Sequence, residues 1–264
     1  MEYDSYLVAS IVITLTTILS LVGLIIVRKK VQLQTLSQFH EVGGYLLSVI
    51  GTMYAVLLGL IVVDTMTKFE SAQQNTLQEA NALADVFFLS NQYPAATRNE
   101  IQQLCAKYAE FVVTKEWAAM DSGTYNPECR DIAEQIVFAV SKFEPSSNRD
   151  QSLYQVVTQE ACQMWDSRHA RIFCASGALP EAEWAVLIAG GIATVVFTYF
   201  FGLENFKAQV AMTAMVALLI ALNLYLVLLF GYPHSGDLKV KPRAFDYVLW
   251  IFNEHLNGHP INAR

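Results

Sequence analysis

Apolar residues in this chain follow two patterns: four unbroken runs and, between the second and third of them, stretches in which they recur at helical spacing. The runs cover residues 6–27, 45–63, 184–202 and 210–231, about 22, 19, 19 and 22 residues, where a helix needs roughly 20 to cross a bilayer. None contains Asp, Glu, Lys, Arg or His. The pattern predicts four transmembrane helices. Neither Gly nor Pro occurs from Leu60 to Tyr93, and Met66, Phe69, Leu77, Ala80, Leu83 and Phe87 keep a helical period beyond the second run. The expectation is one helix of about 50 residues that projects roughly 40 Å past the bilayer, ended by Pro94.

After it, Ile101, Leu104, Cys105, Tyr108, Phe111 and Val112 mark one amphipathic face. Ile132, Ile136, Val140 and Phe143 mark a second, closed before Pro145, and Leu153, Val156, Val157, Ala161, Met164 and Trp165 a third. No strand alternation and no internal repeat is visible. The expected fold is therefore an all-α membrane protein: four transmembrane helices with an all-helical soluble bundle inserted between the second and third spans. The boundaries expected are 1–64 for spans one and two, 65–180 for the bundle, 181–231 for spans three and four, and 232–264 for a C-terminal tail. Within that tail, Phe245, Val248 and Phe252 share one side with Tyr247 and Trp250 nearby, the pattern of an interfacial amphipathic helix.

Charge adds orientation. The first span follows Glu2 and Asp4 and precedes Arg28-Lys29-Lys30, the reverse of a signal peptide's polarity, so it is expected to be retained with its C-terminal end cytoplasmic. The bundle would then face the exterior, although Lys239, Lys241 and Arg243 put basic charge near the outer end of the last span. Residues 65–180 hold 9 Lys/Arg against 14 Asp/Glu, a poor composition for nucleic acid, which demands a basic stripe. All four cysteines lie in this block, which suggests two disulfides in an oxidising compartment; the plainer alternative is free thiols buried as small hydrophobes. In an up-down bundle, helices near 95–120 and 152–176 run parallel, which favours the pairs Cys105–Cys162 and Cys129–Cys174. No pair has the short spacing of a zinc site.

Catalytic signals are nearly absent: there is no Gly-rich phosphate loop, nucleophile elbow or His-Glu-x-x-His helix. His255 and His259 are four apart, but Gly258 and Pro260 break the helix that would align them on a metal. No enzyme activity and no cofactor is expected. Arg168 and Arg171 share one side of a helix, either paired with the acidic bundle or forming a basic ring at a vestibule. Asn223 is the notable polar group in mid-span, expected to bond a neighbouring helix. Gly44, Ser48, Gly51, Ala55 and Gly59 in the second span, Ala189, Gly190, Gly191 and Ala193 in the third, and Ala214, Ala217 and Ala221 in the fourth allow close helix approach, within one chain or between subunits.

His40-Glu41-Val42-Gly43, then Gly51-Thr52-Met53-Tyr54-Ala55-Val56-Leu57-Leu58-Gly59 with Val62-Val63, Glu79-Ala80, Tyr108, Glu116-Trp117 and Met120 resemble a bacterial bestrophin-like domain family of integral membrane proteins. The resemblance continues in Arg168-x-x-Arg171, Leu179-Pro180 with Trp184, and Tyr232-Pro233-His234-Ser235-Gly236-Asp237 followed by Val240-Lys241-Pro242 and Phe245. It covers nearly the whole chain from about His40. His234 stands where the family usually has Phe. The family is remotely similar to bestrophins, pentameric anion channels with a hydrophobic neck and a cytoplasmic soluble region.

Two functions of different class fit. The first is a homo-oligomeric, passive ion channel: four uncharged spans cannot enclose an aqueous path alone, so a path for a small ion lies between subunits. Ser48, Thr52, Ala55, Leu58 and Gly59 are its candidate lining, Arg168 and Arg171 its candidate vestibule, and the lipid bilayer its surroundings. The second is a non-conducting membrane protein whose exterior bundle binds a partner or senses a ligand.

Overall fold

The structure, a computed structural model, describes residues 6–32, 40–176 and 179–258. Among them every regular element is a helix. The helices are α1 (Tyr6–Lys30), α2 (His40–Leu89), α3 (Ala95–Phe111), α4 (Trp117–Asp121), α5 (Pro127–Ser141), α6 (Asn148–Ser176), α7 (Glu181–Tyr199), α8 (Phe206–Gly231) and α9 (Arg243–Leu256). Four of them, α1, α2, α7 and α8, are long and apolar enough to cross a membrane. The chain divides into two compact units. One comprises α1, α2 as far as Lys68, α7 and α8; the other takes α2 from Phe69, then α3 to α6, and α9.

The first unit buries little. Its core is Tyr54 and Leu58 of α2, Leu179, Leu187 of α7 and Val227 of α8, while Leu7, Leu15, Leu19, Leu60, Ile192 and Leu219 are exposed. Apolar side chains on the outside and few inside is the arrangement expected when the solvent is lipid, where close backbone approach replaces hydrophobic burial. Tyr54 supplies that approach: its hydroxyl donates to the Leu187 carbonyl at 3.1 Å, and its ring lies where a Cβ on Gly190 would be only 2.5 Å away. Asn223 donates at 2.8 Å to Leu219 of its own helix rather than to a neighbouring one.

The second unit has an ordinary globular core. Leu83, Val86 and Phe87 of α2 meet Ile101 and Tyr108 of α3, Ile132 and Ile136 of α5, and Met164 of α6. Pro94 stands just before α3, and the Asn126 side chain accepts from Cys129 N at 3.2 Å to start α5, with Pro127 in the first turn. The face of α9 expected to lie on a membrane is used inside the protein instead. Phe245, Val248 and Phe252 are buried in this core, and Phe252 stacks on Phe87 with ring centroids 4.0 Å apart. The sequence pattern is that of an amphipathic helix in either case, and protein has taken the place of lipid.

Between α3 and α4, residues Val112–Glu116 form a π-helical turn. Its cause can be read in the buried positions Tyr108, Val112, Glu116 and Met120, which are spaced by four throughout. On an ideal α-helix, at about 100° per residue, three such steps drift by roughly 120° and would carry Met120 away from the core. One residue absorbed in a π-turn cancels most of that drift.

Candidate functional site

On α2 the buried stripe is Tyr54, Leu58, Thr65 and Phe69. Ser48, Thr52, Ala55 and Gly59, at i, i+4, i+7 and i+11, lie together on an exposed side of the same helix. Of the five residues expected to line a path, Leu58 is therefore the exception: it belongs to the intramolecular core, 7% exposed, because it follows Tyr54 by four. A Cβ added to Gly43, Gly51 or Gly59 meets nothing within 4 Å, so these small residues do no packing work within the protomer. The contrast with Gly190 and Gly191 of α7 is direct, since both are pressed by the Tyr54 ring. Thr52 donates to the Ser48 carbonyl at 2.7 Å, which orients its hydroxyl without a tertiary partner.

The second constellation is a buried charge cluster in the helical bundle. Arg171 donates from Nε to Glu79 Oε2 at 2.6 Å, from Nη2 to Glu79 Oε1 at 2.9 Å and Glu116 Oε2 at 2.8 Å, and from Nη1 to Met120 Sδ at 2.7 Å. Arg168 donates to Glu116 Oε1, and the Tyr108 hydroxyl to Glu79 Oε1 at 2.5 Å. The four charged side chains are at most 2% exposed. Two carboxylates and two guanidiniums cancel, and the bidentate fork is the geometry in which a buried pair best offsets its desolvation. Trp117 and Phe245 flank Arg171 at 5.3 Å and 5.8 Å from their ring centroids. Burial pushes the Tyr108 hydroxyl well up, and the Glu79 charge adds to that. Burial opposes the Arg171 charge, but Glu79 and Glu116 hold its affinity for the proton well above the ordinary arginine value.

Each member arrives by its helix register. Arg168 and Arg171 continue the buried stripe Val157, Ala161, Met164 of α6, and Glu79 continues Ala72 and Thr76 toward Leu83 on α2. Glu116 is turned inward by the π-turn that it closes. Within the protomer the arginines are thus buried and paired, whereas a vestibule ring would need them exposed to solvent. A stripe of apolar spacing interrupted by Glu79 was the signal in the sequence; the base that partners it could not be assigned without the fold. Beside the cluster lies His234, 2% exposed, its ring edge-on to Trp117 at 5.7 Å with neither ring nitrogen partnered. Burial, then the nearby Arg171 charge, pull its pKa down to about 3, so the ring is neutral. Arg168 Nε is likewise without a partner.

All four cysteines are free: Cys105 and Cys129 are buried, Cys162 is exposed and Cys174 is half-buried. The expected pairs Cys105–Cys162 and Cys129–Cys174 are not made. Cys162 follows the buried Ala161 by one residue and so points off the core side of α6, away from Cys105 in the interior. Cys174 instead accepts from Asn75 Nδ2 at 3.8 Å. Burial pushes both interior thiols up, Cys129 to about 12. His255 packs edge-on against Phe87, 5.4 Å between centroids, and His259 lies outside the described residues. Among the described residues no cluster of side chains could hold a metal ion.

The sequence profile of the bestrophin-like domain matches residues 14–245. No curated relative matches the sequence. Among solved structures, a point variant of a bacterial bestrophin homologue from Klebsiella pneumoniae aligns with a TM-score of 0.71 at 12% identity, over 94% of this chain and 99% of that one. A second structure of a bestrophin homologue from the same organism, phased on zinc, gives 0.70 at 12% identity over 94% of this chain and 100% of that one. At such identity the likeness is one of fold.

Proposed function

The chain belongs to the bestrophin-like domain family, and from that premise we propose that it assembles with copies of itself into a passive ion channel whose path runs between subunits, lined by α2. The observation that carries this reading is the α2 face formed by Ser48, Thr52, Ala55 and Gly59, small or hydroxylic, exposed and bonded only within its own helix. In lipid such a face is either wasted or shared with another helix. The likeness to bestrophin anion channels and the absence of any acidic or basic side chain in the four apolar runs support passive conduction rather than coupled transport, which needs a titratable group in the membrane. Val56, 58% exposed, and Val63, 63% exposed, fall on the same side as Thr52 and Gly59 and supply the apolar constriction, which gates by excluding water. Leu58, being core, is not part of it.

The bundle, residues 65–180, stands on the exterior side in this reading, for which Arg28-Lys29-Lys30 is the remaining support now that the cysteines are free. Purified protein in liposomes tests conduction. Wild type passes ions down their gradient, Thr52→Leu or Ala55→Leu abolishes the flux, and Val56→Ser leaves a leak. No flux from wild type or from Val56→Ser in intact oligomers would favour the non-conducting binding protein.

A further inference from the structure

Apart from the α2 face and the charge cluster, the segment leading into α9 carries three cations in five residues, Lys239, Lys241 and Arg243. Between them Val240 is pinned inward. It is 4% exposed, its N–H donates to the Pro233 carbonyl at 2.9 Å, and its carbonyl accepts from Trp117 Nε1 at 3.0 Å. The backbone from Lys239 to Pro242 is neither helix nor turn. On either side of the buried Val240, Lys239 is half-buried and Lys241 is exposed, as is Arg243, the first residue of α9. These three line a depression of 330 Å³ with Gln73, Thr76 and Leu77 of α2. The Thr76 hydroxyl already donates to the Ala72 carbonyl at 2.8 Å, which leaves the Gln73 amide as the neutral donor. Lys239 Nζ lies 3.4 Å from Asp121 Oδ1, a solvent-exposed pair that orients the lysine without neutralising the group of three.

We propose that this depression binds the phosphate of an anionic ligand, carried on a lipid headgroup or on a small soluble ester, with Lys241 and Arg243 as its main contacts. Arginine offers phosphate a planar fork and lysine a mobile point charge, and the first turn of α9 adds its positive dipole end. The site is a basic exception in a bundle whose residues 65–180 are net acidic. It also accounts for the basic charge near the outer end of the last span: those residues serve a ligand and not the insertion of the chain.

The test is binding to the full-length protein in neutral dodecyl maltoside, using inorganic phosphate as one probe and micelles doped with phosphatidylglycerol as the other. Saturable binding of either probe, weakened roughly 10- to 30-fold by the double variant Lys241→Gln/Arg243→Gln, is expected. Both residues are exposed, so the fold is retained. Phosphate binding identifies a soluble source, and binding of the doped micelles alone identifies a headgroup. The double variant Lys107→Gln/Lys142→Gln removes the same charge elsewhere on the bundle and leaves affinity unchanged. Equal weakening by both double variants, or no saturable binding of either probe, overturns the proposal.

Discussion

His234 concentrates the chemistry of the bundle into one residue. A buried imidazole with both nitrogens unpartnered is desolvated with no hydrogen bond in return, and a Phe side chain in its place would not be. Because its folded pKa is near 3, below the ordinary histidine value of 6.5, the unfolded chain takes up a proton between those values and the folded chain does not. Stability contributed by the neutral ring is present above pH 6.5 and is lost as pH falls toward 3. Between pH 6.5 and 5 the loss is about 2 kcal/mol, so wild type melts at lower temperature at pH 5 than at pH 7.5, and His234→Phe narrows that gap. Thermal unfolding of both proteins at the two pH values measures it; equal gaps would mean that the ring is solvated. Arg171 is the other single-residue test. Arg171→Met leaves Glu79 and Glu116 buried without their shared cation and should cost about 3–5 kcal/mol, read as a large fall in Tm. A fall no greater than that of an exposed control, Arg130→Met, would contradict the buried geometry.

At the scale of helices, the structure separates two kinds of glycine that look alike in the sequence. Gly190→Ala drives a methyl group into the Tyr54 ring and should destabilise the packing of α2 on α7 by about 1–3 kcal/mol, whereas Gly51→Ala meets open space and should leave the thermal unfolding of a protomer nearly unchanged. Comparing the Tm of the two variants in detergent checks the distinction. The π-turn is tested by deletion: removing the exposed Thr114 takes out the absorbed residue, so seven α-helical steps of about 100° leave Glu116 within roughly 20° of Tyr108's direction, and the bundle should lose far less stability than on losing Arg171. The helices themselves were legible, α2 most of all, because a stretch without Gly or Pro and with a steady apolar period has few alternatives. The partners were not. Glu79, Arg168 and Arg171 each announce burial by sitting on an apolar stripe, but which acid meets which base depends on α2 and α6 converging with the segment around Glu116, and Glu116 reaches its place through a backbone irregularity that an ideal helical period hides. Phe245, Val248 and Phe252 show the same limit from the other side: the stripe fixes an amphipathic helix, not whether lipid or protein covers it.

For the molecule as a whole, the topology and the conducting assembly are the two expectations open to experiment. Cys162 is the exposed thiol, while Cys105 and Cys129 are buried and Cys174 is half-buried, all three with their ionisation pushed up, so a membrane-impermeant maleimide should label intact cells at Cys162, and a Cys162→Ser/Cys174→Ser variant should not be labelled. Labelling only after lysis would place the bundle in the cytoplasm. The central claim, that α2 lines an aqueous path between copies of the chain, meets its most direct test at Thr52, which is exposed in the protomer and lies within an apolar run. Thr52→Cys protein in liposomes is treated with a charged, water-soluble methanethiosulfonate reagent while ion flux is recorded. A thiol facing water in the path reacts, and the added bulk and charge block flux in the variant while wild type, with the same reagent, is unaffected. Flux that continues unchanged after treatment, or an introduced thiol that remains unmodified while the variant conducts, would contradict the account.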